Sequence, residues 1–305
     1  MGSKQKIKVV EVGPRDGLQN ERIILSTDDK FEFVKLLSET GLQSIEVTSF
    51  VKPPAIPQMQ DAAELFERVR TGLWHSGVKF PCLVPNLQGY EKAKSLGVEE
   101  IALFSATSSS FTKKNVNATV DETFERMKEI AQQATKDGIR IRGYVSTAFG
   151  CPYEGRMPVE NLVSAAKRFL DLGVYEVSIG DTIGVAVPSQ VREYLAVLKR
   201  EIPVEKLAMH LHDTRGMALT NLLVSLELGV STFDSSVGGL GGCPYAKGAT
   251  GNVATEDVWY LLNSLGLETG LDLEKLVKAS SFILGKVQRS TESKFLRAYL
   301  NTGKV

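Results

Sequence analysis

The stretch Leu207-Ala-Met-His-Leu-His-Asp-Thr-Arg-Gly216 joins an apolar, strand-like run to two of the three histidines in the chain. Side chains at i and i+2 of a strand share a face, so His210 and His212 stand together, with Asp213 and a glycine turn following. Two readings fit this segment alone. It is either a hydrogen-bonded histidine pair at a strand terminus or half of a metal site at a strand's carboxyl end. What the other strands carry at the same end decides between them.

Apolar, β-branched runs of the same kind recur along the chain: Ile7–Val12, Ser44–Thr48, Lys79–Val84, Glu100–Phe104, Arg140–Val145, Glu176–Ile179, Leu207–Leu211 and Thr232–Ser235. Helical spacing fills the intervals, as in Asp28–Thr40 with an Asp cap and Phe31, Val34 and Leu37 on one face. Thr119–Lys136, Pro158–Leu172, Pro188–Arg200 and Met217–Leu228 follow suit, two of them opening on a proline. Glycines at 41, 97, 138, 173 and 229 fall just before the next strand, where a helix ends in a left-handed residue. Strand–helix units repeated in this way predict an α/β fold, a (β/α)8 TIM barrel. The rival, a doubly wound sheet, would want Gly-x-Gly-x-x-Gly after the first strand, and none is there. Leu273–Lys286 reads as extra C-terminal helices, and without a linker the expectation is one domain over residues 1–305.

Composition narrows the function classes. The 36 basic and 36 acidic residues cancel, so no global field recruits nucleic acid or an anionic membrane. No apolar run reaches the roughly 20 residues that span a bilayer. The first residues pass directly into a strand, without the pattern of a signal or transit peptide. Three cysteines suit a reducing compartment. The expectation is a cytoplasmic enzyme, with no nucleic-acid or membrane partner and with a homodimer as its assembly.

In a TIM barrel the chemistry collects after the strands, and unusual polar residues do so here. The first strand runs into Glu11-Val-Gly-Pro-Arg-Asp-Gly-Leu-Gln-Asn-Glu21. Arg15 and Asp16 are either a solvated loop pair or an oxyanion-holding arginine beside a metal-seeking carboxylate. Glu46 lies inside an apolar run, where a carboxylate pairs with a cation such as Arg15 or has a shifted pKa. Asp181 and Thr182 occupy a glycine-bracketed turn, where Asp181 could simply cap a helix. A long glycine-rich loop after the eighth strand carries Cys243 and ends at Asn252, whose amide either completes a metal shell or caps the next helix. Asp16, His210, His212 and Asn252 together supply two oxygens and two imidazoles, a set suited to Mg2+, Mn2+ or Zn2+ with positions left for substrate. An open Lewis acid beside an arginine favours breaking or making a carbon–carbon bond next to a carbonyl, with metal-assisted hydrolysis as the competitor.

Several segments together resemble the 3-hydroxy-3-methylglutaryl-CoA lyase family, metal-dependent carbon–carbon lyases built on TIM barrels. They are Val12-Gly-Pro-Arg-Asp-Gly-Leu-Gln-Asn-Glu21, Ile45-Glu-Val-Thr-Ser-Phe-Val51, Pro57-Gln-Met59 and Phe111-Thr-Lys-Lys-Asn115. Further on come Gly150-Cys-Pro-Tyr-Glu154, Gly180-Asp-Thr-Ile-Gly184, His210-Leu-His-Asp-Thr214, Gly239-Leu-Gly-Gly-Cys-Pro-Tyr-Ala246 and Gly251-Asn-Val-Ala-Thr-Glu-Asp257. The resemblance implies retro-Claisen cleavage of an acyl-CoA substrate, 3-hydroxy-3-methylglutaryl-CoA, to acetyl-CoA and acetoacetate. It implies Mg2+ or Mn2+ on Asp16, His210, His212 and Asn252, and Arg15 on the enolate oxygen. His210 and Asp181 are implied for proton transfer, Cys243 acts from a lid, and Glu46 orients Arg15 or the substrate. Gln19 and Thr182 would touch substrate, with Glu11 and Glu256 in support. The chain departs from the family at Ser49-Phe-Val-Lys-Pro-Pro-Ala55, where Lys-Trp usually follows the first proline, and at Ser108-Ser109, which replaces Ser-Glu. These leave open a related lyase acting on another 3-hydroxyacyl-CoA. A condensing synthase and a non-catalytic acyl-CoA-binding barrel are the remaining rivals.

Overall fold

The computed structural model describes residues 6–52, 56–242 and 251–302. Its parallel strands are β1 (Lys8–Glu11), β2 (Ser44–Ile45), β3 (Thr48–Ser49), β4 (Cys82–Leu83), β5 (Glu100–Ala106) and β6 (Arg140–Ser146). A short antiparallel hairpin, β7 (Gly150–Cys151) with β8 (Gly155–Arg156), rises from the rim. The parallel set continues with β9 (Glu176–Asp181), β10 (Leu207–Leu211) and β11 (Thr232–Ser235). Hydrogen bonding runs β2-β1-β11-β10-β9-β6-β5-β4-β3. Since β2 and β3 are two ends of one strand-like segment, the sheet meets itself there. Glu46 N–H bonds the Glu11 carbonyl on one side, and Val47 N–H bonds the Pro81 carbonyl on the other. The fold is a TIM barrel.

Helices return the chain between strands: α1 (Thr27–Ser38), α2 (Ala62–Leu73), α3 (Leu87–Ser95), α4 (Ser109–Val116), α5 (Val120–Lys136), α6 (Val159–Asp171), α7 (Pro188–Glu201), α8 (Ala218–Glu227) and α9 (Thr255–Ser264). Then follow α10 (Leu273–Val287) and α11 (Lys294–Thr302). Local chemistry sets their limits. Thr119 and Glu122 form a reciprocal capping box at α5. The cap of α1 is Ser26, whose side chain accepts the Asp29 N–H, and Asp28 sits in the first turn instead of capping. All five junction glycines named above have positive φ, the conformation that a helix stop requires and that side chains resist.

Alternation along the strands divides the protein into two environments. Ile141, Val145, Val177, Ile179, Met209, Leu211 and Phe233 join the apolar core beneath the helices. Their neighbours Arg142, Tyr144, Ser178, His210 and Asp234 are bonded to one another across strands, on the opposite, lumen side. The helices approach the sheet closely. A Cβ at Gly143 would lie 2.8 Å from the Phe169 ring of α6.

Glu11, at the carboxyl end of β1, ties three segments together. It accepts Gly13 N–H at 2.8 Å, Val237 N–H at 3.1 Å and the Thr255 hydroxyl at 2.7 Å. Complete burial pushes its carboxyl from 4.5 up to about 8, against those bonds. The folded chain therefore keeps a proton that the unfolded chain releases. The contribution of this group to stability is full below about pH 4.5 and is lost as pH climbs to about 8. Glu11→Gln, which keeps the accepting oxygen, should flatten the fall in stability across that window, read from urea midpoints at stepped pH. An unaltered slope would refute the protonated state. Gly143→Ala should cost about 1–3 kcal/mol through overpacking against Phe169, measured by thermal or urea unfolding.

Candidate active site

Just after β1 the chain makes a single π-helical turn, Gly13–Gly17. Gly17 N–H reaches the Val12 carbonyl at 3.1 Å and Leu18 N–H the Gly13 carbonyl at 2.9 Å. Such turns occur where side chains must be aimed. This one buries both Arg15 and Asp16 at the carboxyl end of the barrel.

Arg15 donates from Nη1 to Asp16 Oδ1 at 2.6 Å and from Nη2 to Glu46 Oε2 at 2.9 Å. The sequence had left Glu46 with two fates, and the structure pairs it with the cation. Tyr144 adds a second donor to Glu46 Oε2 at 2.8 Å. Arg15 Nε and Glu46 Oε1 are buried without partners, so the pair retains an unspent donor and an unspent acceptor. Gln19 Nε2 donates to Asp16 Oδ1 at 3.1 Å. Burial opposes ionisation of Asp16, but Arg15 and the two imidazoles outweigh it and hold the carboxyl at about 2.

The histidines converge on the same carboxylate. His210 Nε2 and His212 Nε2 are 3.3 Å apart, and each lies 3.9 Å from Asp16 Oδ2. Burial first, then His210, depresses His212 to about 4, which leaves it a neutral imidazole near pH 7. Asn252 pairs with His212 as an isolated antiparallel bridge. Its Nδ2 donates to Asp16 Oδ2 at 2.8 Å, while Oδ1 is buried with no partner. The residue that caps α9 is Ala254, so the Asn252 side chain is turned to Asp16 and not to the helix end.

This donor set fits a divalent cation. Asp16, His210 and His212 offer ligand atoms all within 4.8 Å of one another. His212 Nδ1 and Asn252 Oδ1 are buried and unpaired beside them. A carboxylate and two imidazoles crowded together, with an amide beside them, form a donor set that a divalent cation could satisfy.

The remaining candidates differ in their surroundings. Asp181 ends β9 with both oxygens on backbone donors, Val185 N–H at 2.9 Å and Ala186 N–H at 3.0 Å. Burial outweighs those bonds and raises its carboxyl to about 6. Thr182 Oγ1 accepts Thr147 N–H at 2.8 Å. Glu256 holds Gly238 N–H on both oxygens at 3.0 Å, and burial lifts it to about 7. At the Ser108-Ser109 departure, Glu154 brings a carboxylate to the same loop, accepting the Ser108 hydroxyl at 2.6 Å and Ser110 N–H at 3.0 Å. Cys243 and Pro54-Ala55 lie outside the described residues.

Sequence reasoning missed three residues that support this cluster: Arg142 and Tyr144 on β6 and Asp234 on β11. Asp234 Oδ2 lies 3.2 Å from His210 Nδ1, and Arg142 and Ser178 also donate to this carboxylate. Burial is again overcome, here by Arg142, and Asp234 stays ionised well below the usual carboxylate range. The available signal was polar residues at every second position of an otherwise apolar strand.

A family model described as HMGL-like matches residues 6–283. The mouse protein named 3-hydroxy-3-methylglutaryl-CoA lyase, cytoplasmic, is 49% identical over 300 residues, covering 98% of this chain and 87% of that protein. The chicken protein named hydroxymethylglutaryl-CoA lyase, mitochondrial, is 49% identical over 96% of this chain and 98% of its own. Among solved structures, hydroxymethylglutaryl-CoA lyase from Pseudomonas aeruginosa superposes with a TM-score of 0.94 at 45% identity, covering 99% of both chains. An HMG-CoA lyase from Acinetobacter baumannii, in complex with coenzyme A and 3-methylmalate, gives 0.91 at 36% identity, over 98% of this chain and 97% of that one. With the family model spanning most of the chain and these relatives covered nearly end to end, the chain belongs to the HMGL-like family.

Proposed function

We infer that this protein is a carbon–carbon lyase that cleaves 3-hydroxy-3-methylglutaryl-CoA to acetyl-CoA and acetoacetate. The observation that carries the reading is Arg15, bonded to Asp16 of the buried Asp16–His210–His212 cluster and keeping an unspent donor. Names of relatives about 49% identical over nearly the full chain support the substrate. The acyl-CoA class is supported by the coenzyme A held in the Acinetobacter relative.

Asp16, His210, His212 and Asn252 would hold Mg2+ or Mn2+. Bound there, such a cation supplies Lewis-acid polarisation of the substrate's hydroxyl and carboxylate oxygens. The protein does the rest. Asp181, with its carboxyl near 6 and oriented by two backbone N–H groups, takes the C3 hydroxyl proton. As the C–O electrons form the ketone of acetoacetate, the C2–C3 bond breaks and its pair becomes the thioester enolate. Arg15, fixed between Asp16 and Glu46, donates to that enolate oxygen. Cys243 delivers a proton to C2, which completes acetyl-CoA. Gln19 and Thr182 line the approach. Residues 1–305 act as one domain, with α10 and α11 as additions after the barrel. Among the described residues no helix is long and apolar enough to cross a membrane.

Purified protein given 3-hydroxy-3-methylglutaryl-CoA and Mg2+ should release acetoacetate, and chelator should stop it. Intact metal binding without release would move the substrate to another 3-hydroxyacyl-CoA. Arg15→Met should lose at least about a hundredfold in kcat with KM little changed, since an enolate clamp acts in the transition state. An effect confined to KM would remove Arg15 from that role.

A further inference from the structure

We propose that Arg142 is a positioning residue that orients both halves of the catalytic cluster, His210 through Asp234 and Arg15 through Tyr144 and Glu46. The proposal rests on the lyase reading for what those halves do, but its geometry stands without it. Arg142 is 1% exposed, deep in the lumen below the cluster. Its Nη2 donates to Asp234 Oδ1 at 2.7 Å and its Nη1 to Asp234 Oδ2 at 3.2 Å. The same Nη1 donates to the Tyr144 hydroxyl at 2.8 Å. From the far side, Glu176 accepts Nε at 2.7 Å and holds the guanidinium in place.

Each arm has a fixed direction, because a guanidinium only donates and an ionised carboxylate only accepts. Asp234 accepts from Arg142 on both oxygens and from the Ser178 hydroxyl at 2.7 Å. His210 Nδ1, at 3.2 Å, must therefore bring its own hydrogen. In the neutral ring that leaves the Nε2 lone pair turned towards Asp16 and His212. This is the orientation a cation-binding imidazole needs.

Along the other arm, Tyr144 oxygen is already accepting from Arg142, so its single proton goes to Glu46 Oε2 at 2.8 Å. Glu46 in turn receives Arg15 Nη2. The Tyr144 ring stands edge-on to His210, with centroids 5.9 Å apart, and lies 5.5 Å from the Arg15 guanidinium. The planar fork of Arg142 grips Asp234 through both terminal nitrogens while Nη1 also serves Tyr144 and Nε holds Glu176. The compact ammonium of a lysine lacks that fixed bidentate geometry.

The arms can be cut separately. Two readouts are needed: Mn2+ affinity of the metal-stripped chain by calorimetry, and kcat and KM of the loaded enzyme. Asp234→Asn should weaken Mn2+ about 10–100-fold. Tyr144→Phe keeps the ring and should leave Mn2+ affinity unchanged while kcat falls about 10–100-fold with KM little moved. Arg142→Lys should move both readouts, and if it does not fold, the two single-arm variants still decide. The proposal is overturned if Asp234→Asn binds Mn2+ as the parent does. It is equally overturned if Tyr144→Phe keeps its kcat, or if both variants move both readouts alike. Should the parent bind Mn2+ but release no acetoacetate, the substrate assignment fails alone, and the Asp234→Asn titration still decides the imidazole arm.

Discussion

Charge buried inside a closed sheet has to be matched by charge, because burial strips a side chain of most of its solvation. TIM-barrel lumens are usually filled by branched apolar side chains. This one places Glu46, Arg142, Asp234 and Tyr144 there at 7% exposure or less. A small apolar patch of Leu83 and Ala102 packs with Tyr144 beside them. Removing one partner from such a buried pair costs about 3–5 kcal/mol, whereas replacing a whole pair by well-packed apolar residues is often neutral or stabilising. The ion pairs are therefore a poor way to gain stability. What they supply is orientation: an arginine fork accepts only a few arrangements of its partners, and the site above inherits them.

The carboxylates divide into two populations by environment, although all are buried. Asp16 and Asp234 stand beside arginine and imidazole and remain ionised. Glu11 and Glu256 have hydroxyls and backbone N–H groups but no close cation, and burial raises them to about 8 and about 7. The first pair carries charge to the donor cluster. The second pins the loops at Gly13, Val237 and Gly238 with less charge near pH 7, Glu11 mostly protonated and Glu256 close to its midpoint. One barrel end thus has a fully ionised centre within a frame of partly protonated carboxyls.

How much of this was legible in the sequence follows from the range of each interaction. The eight strands could be read because each is a local apolar, β-branched run, five of them preceded by a local glycine stop at 41, 97, 138, 173 or 229. The Asp16–His210–His212 set could be read because a barrel brings all strand ends to one face, whatever their separation in sequence. The pairing of Arg142 with Asp234 spans 92 residues, and the period-2 pattern in β6 says only that two polar side chains share a face. It does not say which strand answers them. Asp181 shows the opposite limit. Its sequence context allows a cap and a proton carrier equally. The structure gives it backbone partners and a raised carboxyl together, so the two descriptions are compatible.

Asn252 depends on glycines as much as on its own amide. Gly241 has φ +121°, and a Cβ there would meet Asn252 Nδ2 at 2.8 Å. A Cβ at Gly251 would strike the Leu240 carbonyl oxygen at 2.6 Å. The backbone segments on either side of residues 243–250 are thus pressed together at the cluster, with room for no side chain between them. Their anchors come from the segments that follow two strands of the candidate site: Asn20 donates to the Gly242 carbonyl at 3.0 Å, and Asp213 N–H bonds the Gly251 carbonyl at 3.2 Å. Both ends of the Cys243 segment are therefore tied to the turns that carry Asp16 and His212. A substitution at Gly241 or Gly251 would displace Asn252, and with it the bond that Asn252 Nδ2 gives to Asp16 in the candidate cluster.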